Sequence, residues 1–240
     1  SYTPGISVTV DVNNVVARVS NDVSISDGSS AIERWLLGSG DDSVNIWPSG
    51  SLPAHGYIDA NGGVDVLNYT IFNAAADVNL ASATATGIPA GIANFENVTG
   101  SDYADTITGN AADNVLNGGP GNDTLTGGSG DDVYAFGITL GNETDTIREL
   151  ANEGHDTLDF SALTVNVGVN LNDTLIAAHA LRNIRTNPAT GHDFFENVIG
   201  TSGDDRIFAN ARNNVLKGGE GQDTYHLLDI DGSVTLEEMG

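Results

Sequence analysis

The chain has 240 residues and a formal net charge of −25, from 33 Asp and Glu against eight Lys and Arg. Such a field repels phosphate backbones and anionic bilayers, which excludes general nucleic-acid binding. The absence of Cys excludes disulfides, thiolate nucleophiles and Cys zinc sites, and no apolar run is long enough to span a bilayer. Leu, Ile, Val and Phe still make up roughly a quarter of the residues, above the ~20% guideline for disorder. With 30 Gly, six Pro and acid that is mostly Asp, the composition reads as tight turns carrying carboxylates, held together by a cation.

In chain order, the first stretch is an incomplete repeat. Residues 32–42, IERWLLGSGDD, align with 195–205, FENVIGTSGDD, and predict a partial module over 1–59. Asp42 and Asp65 are expected to form a carboxylate pair near the start of the chain. Trp35, Trp47 and Tyr57 read as core aromatics of a β-coil, with a sugar-binding surface as the alternative. Residues 60–69, ANGGVDVLNY, open a complete module over 60–150. They recur as ANEGHDTLDF at 151–160, which opens a second module over 151–240, truncated at its end. In both modules an apolar, β-rich stretch follows, in which Val78-Asn79-Leu80 and Val169-Asn170-Leu171 alternate as strands do. The stretches 66–98 and 158–198 carry no metal pattern and predict wider coils of the same stack. Residues 175–185, rich in Ala and Leu, predict one short helix. FENVTGS from Phe95 and FENVIGT from Phe195 then lead each module into a run of period nine.

From Gly100 the chain reads GSDYADTIT, GNAADNVLN, GGPGNDTLT and GGSGDDVYA, four blocks of nine without a gap. A second run from Gly200 reads GTSGDDRIF, ANARNNVLK and GGEGQDTYH. Position six holds Asp105, Asn114, Asp123 and Asp132 in the first run, and Asp205, Asn214 and Asp223 in the second. Position eight is always large: Ile107, Leu116, Leu125, Tyr134, Ile207, Leu216 and Tyr225. The Gly, Asn and Asp of the first six positions favour turns, and the last three residues form a short strand with one side chain inward. Two blocks then complete one coil, and blocks two apart stack about ~4.8 Å from each other. Carboxylates that close repel unless a hard cation lies between them, and exposed turn carbonyls suit calcium, which takes ~6–8 oxygens.

GGPGNDTLT and GGSGDDVYA resemble the G-G-x-G-x-D-x-U-x nonapeptide of the secreted RTX family of calcium-binding repeats, and with the degenerate neighbours the resemblance covers nearly the whole chain. It implies an all-β, right-handed parallel β-roll solenoid with several calcium ions between stacked turns. It also implies ligand sets. Asp105 pairs with Asp123, using carbonyls of Ser101, Tyr103, Gly118 and Pro120. Asn114 pairs with Asp132, using Asn110, Ala112, Gly127 and Ser129. Asp205 pairs with Asp223, using Thr201, Gly203, Gly218 and Glu220. Gly119, Gly121, Gly128 and Gly130 are further turn candidates. The ladder is expected to continue through Asn142 and Asp145, stacked on Asp123, and through Asp156, stacked on Asp132. Neutral Asn114 and Asn214 predict weaker sites. Val234 fills the position-six slot of the block after Asp223, with Asp231 as a substitute.

By the same resemblance the protein is a type I secretion substrate, exported unfolded and folded outside a Gram-negative cell, so a secreted or cell-surface location is expected. Two alternatives stand beside that scaffold role. One is a calcium-dependent adhesin or polysaccharide-binding module that meets an acidic glycan or cell surface. The other is the C-terminal repeat region of a secreted hydrolase or epimerase. The sequence reads as a stretch of a longer repetitive protein. It holds no G-x-S-x-G, and His55, His155, His179, His192 and His226 show no zinc-site spacing, so we expect no catalysis from this stretch. An EF-hand around Asp229-Ile230-Asp231-Gly232 would place Leu227 at the first ligand position, which favours an ordinary turn.

Overall fold

The computed structural model describes residues 8–11, 16–19, 23–26, 34–46, 56–139, 141–149, 154–173, 175–179, 182–186, 194–227 and 232–237. Among them there are strands and turns and no helix. Each nonapeptide closes on a three-residue strand: Thr106–Thr108, Val115–Asn117, Thr124–Thr126 and Val133–Ala135 in the first run. The central side chain of each points inward and is buried, while its two neighbours stay at least partly exposed.

A strand this short cannot stand alone, and it is completed by parallel pairing with the strand two blocks further on. Ile107 lies against Leu125, and Leu116 against Tyr134, in register. Successive blocks therefore alternate between two sheets. One has twelve strands, and its parallel part runs from Val8–Asp11 through Ser43–Asn45, Val66–Asn68, Asn97–Thr99, Val115–Asn117, Val133–Ala135, Thr157–Asp159, Asn197–Ile199 and Asn214–Lys217 to Val234–Glu237. The other has ten strands and includes Asp77–Asn79, Thr106–Thr108, Thr124–Thr126, Glu143–Arg148, Gly168–Asn170, Arg206–Phe208 and Thr224–His226. Ile92–Ala93, Tyr57–Asp59 and Arg34–Leu36 form a separate three-stranded sheet.

The core is the column of inward residues between the sheets. Leu67, Val78, Val98, Ile107, Leu116, Leu125, Tyr134, Ile147, Leu158, Val169, Val198, Ile207 and Leu216 are all buried in it. Each such side chain contributes about 1.5–3 kcal/mol, so one block cannot hold itself and the stack is the stable unit. Aromatics fill the wider levels: Phe136 stacks on Phe160 at 5.0 Å, and Tyr134 meets Phe195 edge-on at 5.8 Å.

Two sequence readings are corrected. The helix expected over 175–185 is a β-hairpin: Leu175–His179 pairs antiparallel with Arg182–Thr186, and the latter pairs parallel with Glu143–Arg148. Ile176, Ala177 and Ile184 are buried in the core, and the sheet outweighs the helical preference of Ala and Leu. The alignment of 32–42 with 195–205 is half a coil out of phase. The strand after Asp42, Ser43–Asn45, lies in the twelve-stranded sheet, whereas the strand after Asp205, Arg206–Phe208, lies in the ten-stranded one. A period of nine cannot distinguish the two sides of a coil that closes every two blocks.

Candidate metal centre

Position six precedes each strand, and the stacking superimposes these residues. In each sheet the backbone N–H of one position-six residue donates to the side chain of the next residue along the stack. On the ten-stranded side, Ala76 donates to Asp105 Oδ1 (2.6 Å), Asp105 to Asp123 Oδ1 (2.8 Å) and Asp123 to Asp145 Oδ1 (3.0 Å). The run from Gly200 repeats this, with Val167 donating to Asp205 (2.7 Å) and Asp205 to Asp223 (2.9 Å). On the twelve-stranded side, Asp42 donates to Asp65 (2.6 Å), Asn114 to Asp132 (2.7 Å) and Asp132 to Asp156 (3.0 Å). Asp42, Asp65, Asp105, Asp123, Asp132, Asp145, Asp156 and Asp205 are all buried, and Asp223 is half-buried.

Strict and degenerate blocks differ in how the second carboxylate oxygen is treated. In the degenerate blocks the chain satisfies it internally. Ser101 N–H donates to Asp105 Oδ2 at 2.6 Å and Thr201 N–H to Asp205 Oδ2 at 2.5 Å, and the hydroxyls of both residues add bonds of 2.9 Å to Oδ1. The neutral side chains are also closed. The amide groups of Asn114 and Asn214 accept from Asn110 and Asn210 N–H and donate to the carbonyls of Glu96 and Glu196. In GGPGND and GGSGDD, position two is Gly119 (φ 86°) and Gly128 (φ 109°), in the left-handed region. Asp123 Oδ2 and Asp132 Oδ2 are left buried with no hydrogen-bond partner, as is Asp65 Oδ2.

The turns bring the expected carbonyls to the same levels. A Cβ on Gly119 or Gly121 would collide with the carbonyl oxygens of Ser101 and Tyr103, and one on Gly128 or Gly130 with those of Asn110 and Ala112. Thr201 and Gly203 carbonyls lie in the same way against Gly219 and Gly221. The Gly118, Gly127 and Gly218 carbonyls lie against Gly100, Gly109 and Gly200 respectively, and the carboxylates of Asp123, Asp132 and Asp223 fold over the Cα of their own position-one glycines. Pro120, Ser129 and Glu220 sit at the tips of these turns, and Asn142 is exposed, one residue before buried Glu143.

Several acids that the nonapeptide pattern does not mark join the ladders. Glu96 and Glu196 accept from Asp65 and Asp156 N–H at 2.9 and 3.1 Å, the same role that aspartates play in the strict blocks. Glu149 lies with Asp132 and Asp156 in a buried trio, with one oxygen from each within 4.8 Å of the others, and it accepts the Tyr134 hydroxyl. Glu143 and Asp145 meet the buried Arg182. Outside the buried ladder runs an exposed one at position five: Asp113 accepts from Asp131 N–H, Asp131 from His155 N–H and Asp204 from Gln222 N–H, each at 2.8 Å. Its signal is the Asx-rich position five, at Asp113, Asn122 and Asp131.

Other candidates lie elsewhere. Trp35 packs against the core, and Tyr57 lies under the Arg34 guanidinium at 5.1 Å. His155 is exposed beside Asp131, and His226 lies on a strand, stacked on Phe208 at 4.1 Å. Trp47, His55, His192, Asp229 and Asp231 fall outside the described residues.

Burial makes this arrangement electrostatically costly. It pushes Asp123 up to about 8, with the Asp145 and Asp105 charges adding to the rise against the Asp105 N–H. Burial likewise lifts Asp132 to about 7, and Asp65 and Asp145 to about 6. An all-oxygen donor set of carboxylates and turn carbonyls, with bare buried oxygens, fits a hard cation of flexible coordination such as calcium.

Two stacked sheets built from nine-residue turn-and-strand blocks, with a carboxylate ladder beneath each, define a β-roll solenoid. The family model of the RTX calcium-binding nonapeptide repeat matches residues 99–134 and 199–228, with four copies in the chain. The chain therefore carries RTX calcium-binding nonapeptide repeats over those residues. Comparison with curated proteins finds no match.

Proposed function

We propose that this region is a calcium-switched folding scaffold within a larger secreted protein. The observation that carries the proposal is the set of buried carboxylate oxygens at Asp65, Asp123 and Asp132 that no hydrogen bond reaches. Without a cation, these groups and a net charge of −25 oppose stacking. Calcium supplies the positive charge and the oxygen coordination that such levels lack. Asp123 and Asp132 hold the carboxylates, their position-one glycines make room for them, and the Ser101, Tyr103, Asn110 and Ala112 carbonyls line the adjoining turns. Binding free energy then becomes folding free energy. A site held at ~100 times its dissociation constant adds ~2.7 kcal/mol, and several such sites reach the ~5–15 kcal/mol that stabilises a whole domain.

This assigns the region an extracellular role, because extracellular calcium modules work with dissociation constants of ~10⁻⁴–10⁻³ M, far above cytosolic calcium. The resemblance to RTX proteins supports export through a type I machinery in the unfolded form. We assign the region no catalytic step, and place any catalysis in another part of the parent protein. Circular dichroism during calcium titration, with magnesium as control, tests the switch. The β signal should grow with calcium and not with magnesium; full β structure in chelator, unchanged by calcium, would sink it.

A further inference from the structure

We infer that the level between Asp123 and Asp145 is closed by the chain's own cation, the guanidinium of Arg182, and takes no calcium. The inference rests on the calcium reading of the neighbouring levels. By the logic of the repeat, this level should hold a metal. Thr124 and Thr146 are in register, Asp123 N–H donates to Asp145 Oδ1 at 3.0 Å, and the GGPG turn offers its position-two carbonyl at Gly119.

Arg182 already engages those oxygens. Its side chain is 3% exposed, its Nε donates to Glu143 Oε1 and lies 3.3 Å from Asp145 Oδ2, and its terminal nitrogen donates to the Gly119 carbonyl at 2.7 Å. The other Glu143 oxygen is also committed, accepting Gly121 N–H at 2.9 Å and the Thr139 hydroxyl at 2.5 Å. A metal ion bonded to Gly119 O and Asp145 Oδ2 would have to displace the guanidinium, so the two cations exclude each other. Arginine suits the place because its planar fork stays charged and can meet two carboxylates and a carbonyl at once.

The hairpin explains how the cation arrives. Arg182 opens the strand that pairs with Glu143–Arg148, directly opposite Glu143, and its guanidinium lies 5.7 Å from the centre of the Phe136 ring. Across the core, the Asp132–Asp156 level holds a third carboxylate, Glu149, in the corresponding neighbourhood. One level is thus closed by a side chain, and the opposite one is built for an ion.

Terbium, as a calcium probe visible by anomalous diffraction, tests this in crystals of the wild-type chain. Ions are expected at the Asp132–Asp156 level and none in contact with Gly119 O and Asp145. In parallel, calorimetric calcium titration of Arg182→Met should show one more ion per chain than wild type, with a lower melting temperature in chelator. An ion at the Asp145 level with Arg182 swung aside overturns the inference and leaves the calcium reading intact. Ions at no level overturn both. Unchanged stoichiometry in a folded Arg182→Met also overturns the inference, and if that variant does not fold, the wild-type ion map decides alone.

Discussion

Asp123 and Asp102 belong to the same run of repeats and have the same chemistry, yet one is buried with a bare oxygen and the other is exposed. The difference is position in the block. Asp123→Ala should therefore weaken calcium binding and lower the melting temperature in calcium, whereas Asp102→Ala should change both little; equal effects by titration calorimetry and thermal melting would refute the ligand assignment. Gly119 makes the complementary point. Its φ of 86° and the Ser101 carbonyl beside it leave no room for a Cβ, so Gly119→Ala should cost ~1–3 kcal/mol of stability in calcium. Gly141, with open space around its Cα, is the control and should tolerate Ala in the same melting experiment. Tyr134 serves the ladder from the core side, because its hydroxyl accepts Gly127 N–H at 2.6 Å and donates to Glu149. Tyr134→Phe keeps the ring packing and should lose ~1–3 kcal/mol through these unmet polar groups, measured by urea melts in calcium.

At the scale of the element, the turn-and-strand block was legible because a period of nine fixes both the inward residue and the carboxylate. Ile107, Leu125, Asp105 and Asp123 follow from that spacing alone. Glu96 and Glu196 did not, since they precede strands that no Gly-rich turn introduces and reach the ladder through one extra methylene. Glu143 and Glu149 lie off the period altogether, and only the stacked coordinates bring them to Arg182 and to Asp132. The hairpin is hidden from the sequence for a different reason. Local preference in Leu175-Ile176-Ala177-Ala178 favours helix, but an open strand edge at Glu143–Arg148 satisfies the backbone of Arg182–Thr186 along five paired residues.

For the whole molecule, the raised carboxyl groups set a pH dependence. Well below the ordinary Asp value of 3.8, Asp123 and Asp132 are protonated in both the folded and unfolded chains and contribute no difference. Between about 4 and 8, the metal-free fold retains protons that the unfolded chain has released, so its stability falls as pH rises. In chelator, the β signal should then be stronger at pH 5 than at pH 8. Calcium competes with those same protons for the folded carboxylates, but over pH 6 to 8 the unfolded chain has already released them. The calcium concentration at the folding midpoint should therefore not fall as pH rises, and should rise where the proton-bound fold contributes at the lower pH. A chelator spectrum that ignores pH between 5 and 8 would show that these carboxyl groups are not buried together.

The alternation of successive strands between two sheets also imposes a parity on how such a chain can lengthen. Gain or loss of one nonapeptide would transfer everything after it to the opposite side, carrying Glu196 from its own column to that of Asp205. Gain or loss of two leaves each residue on its side. The two modules show an apparent exception, since the segment from Val78 to Val98 has nine fewer residues than that from Val169 to Val198, yet the flanking strands keep their sheets. The Leu175–His179 and Arg182–Thr186 hairpin absorbs the odd increment by running out and back within one sheet. Duplication in pairs is therefore neutral for this architecture, and a single added block must be hidden in a reversal of the chain.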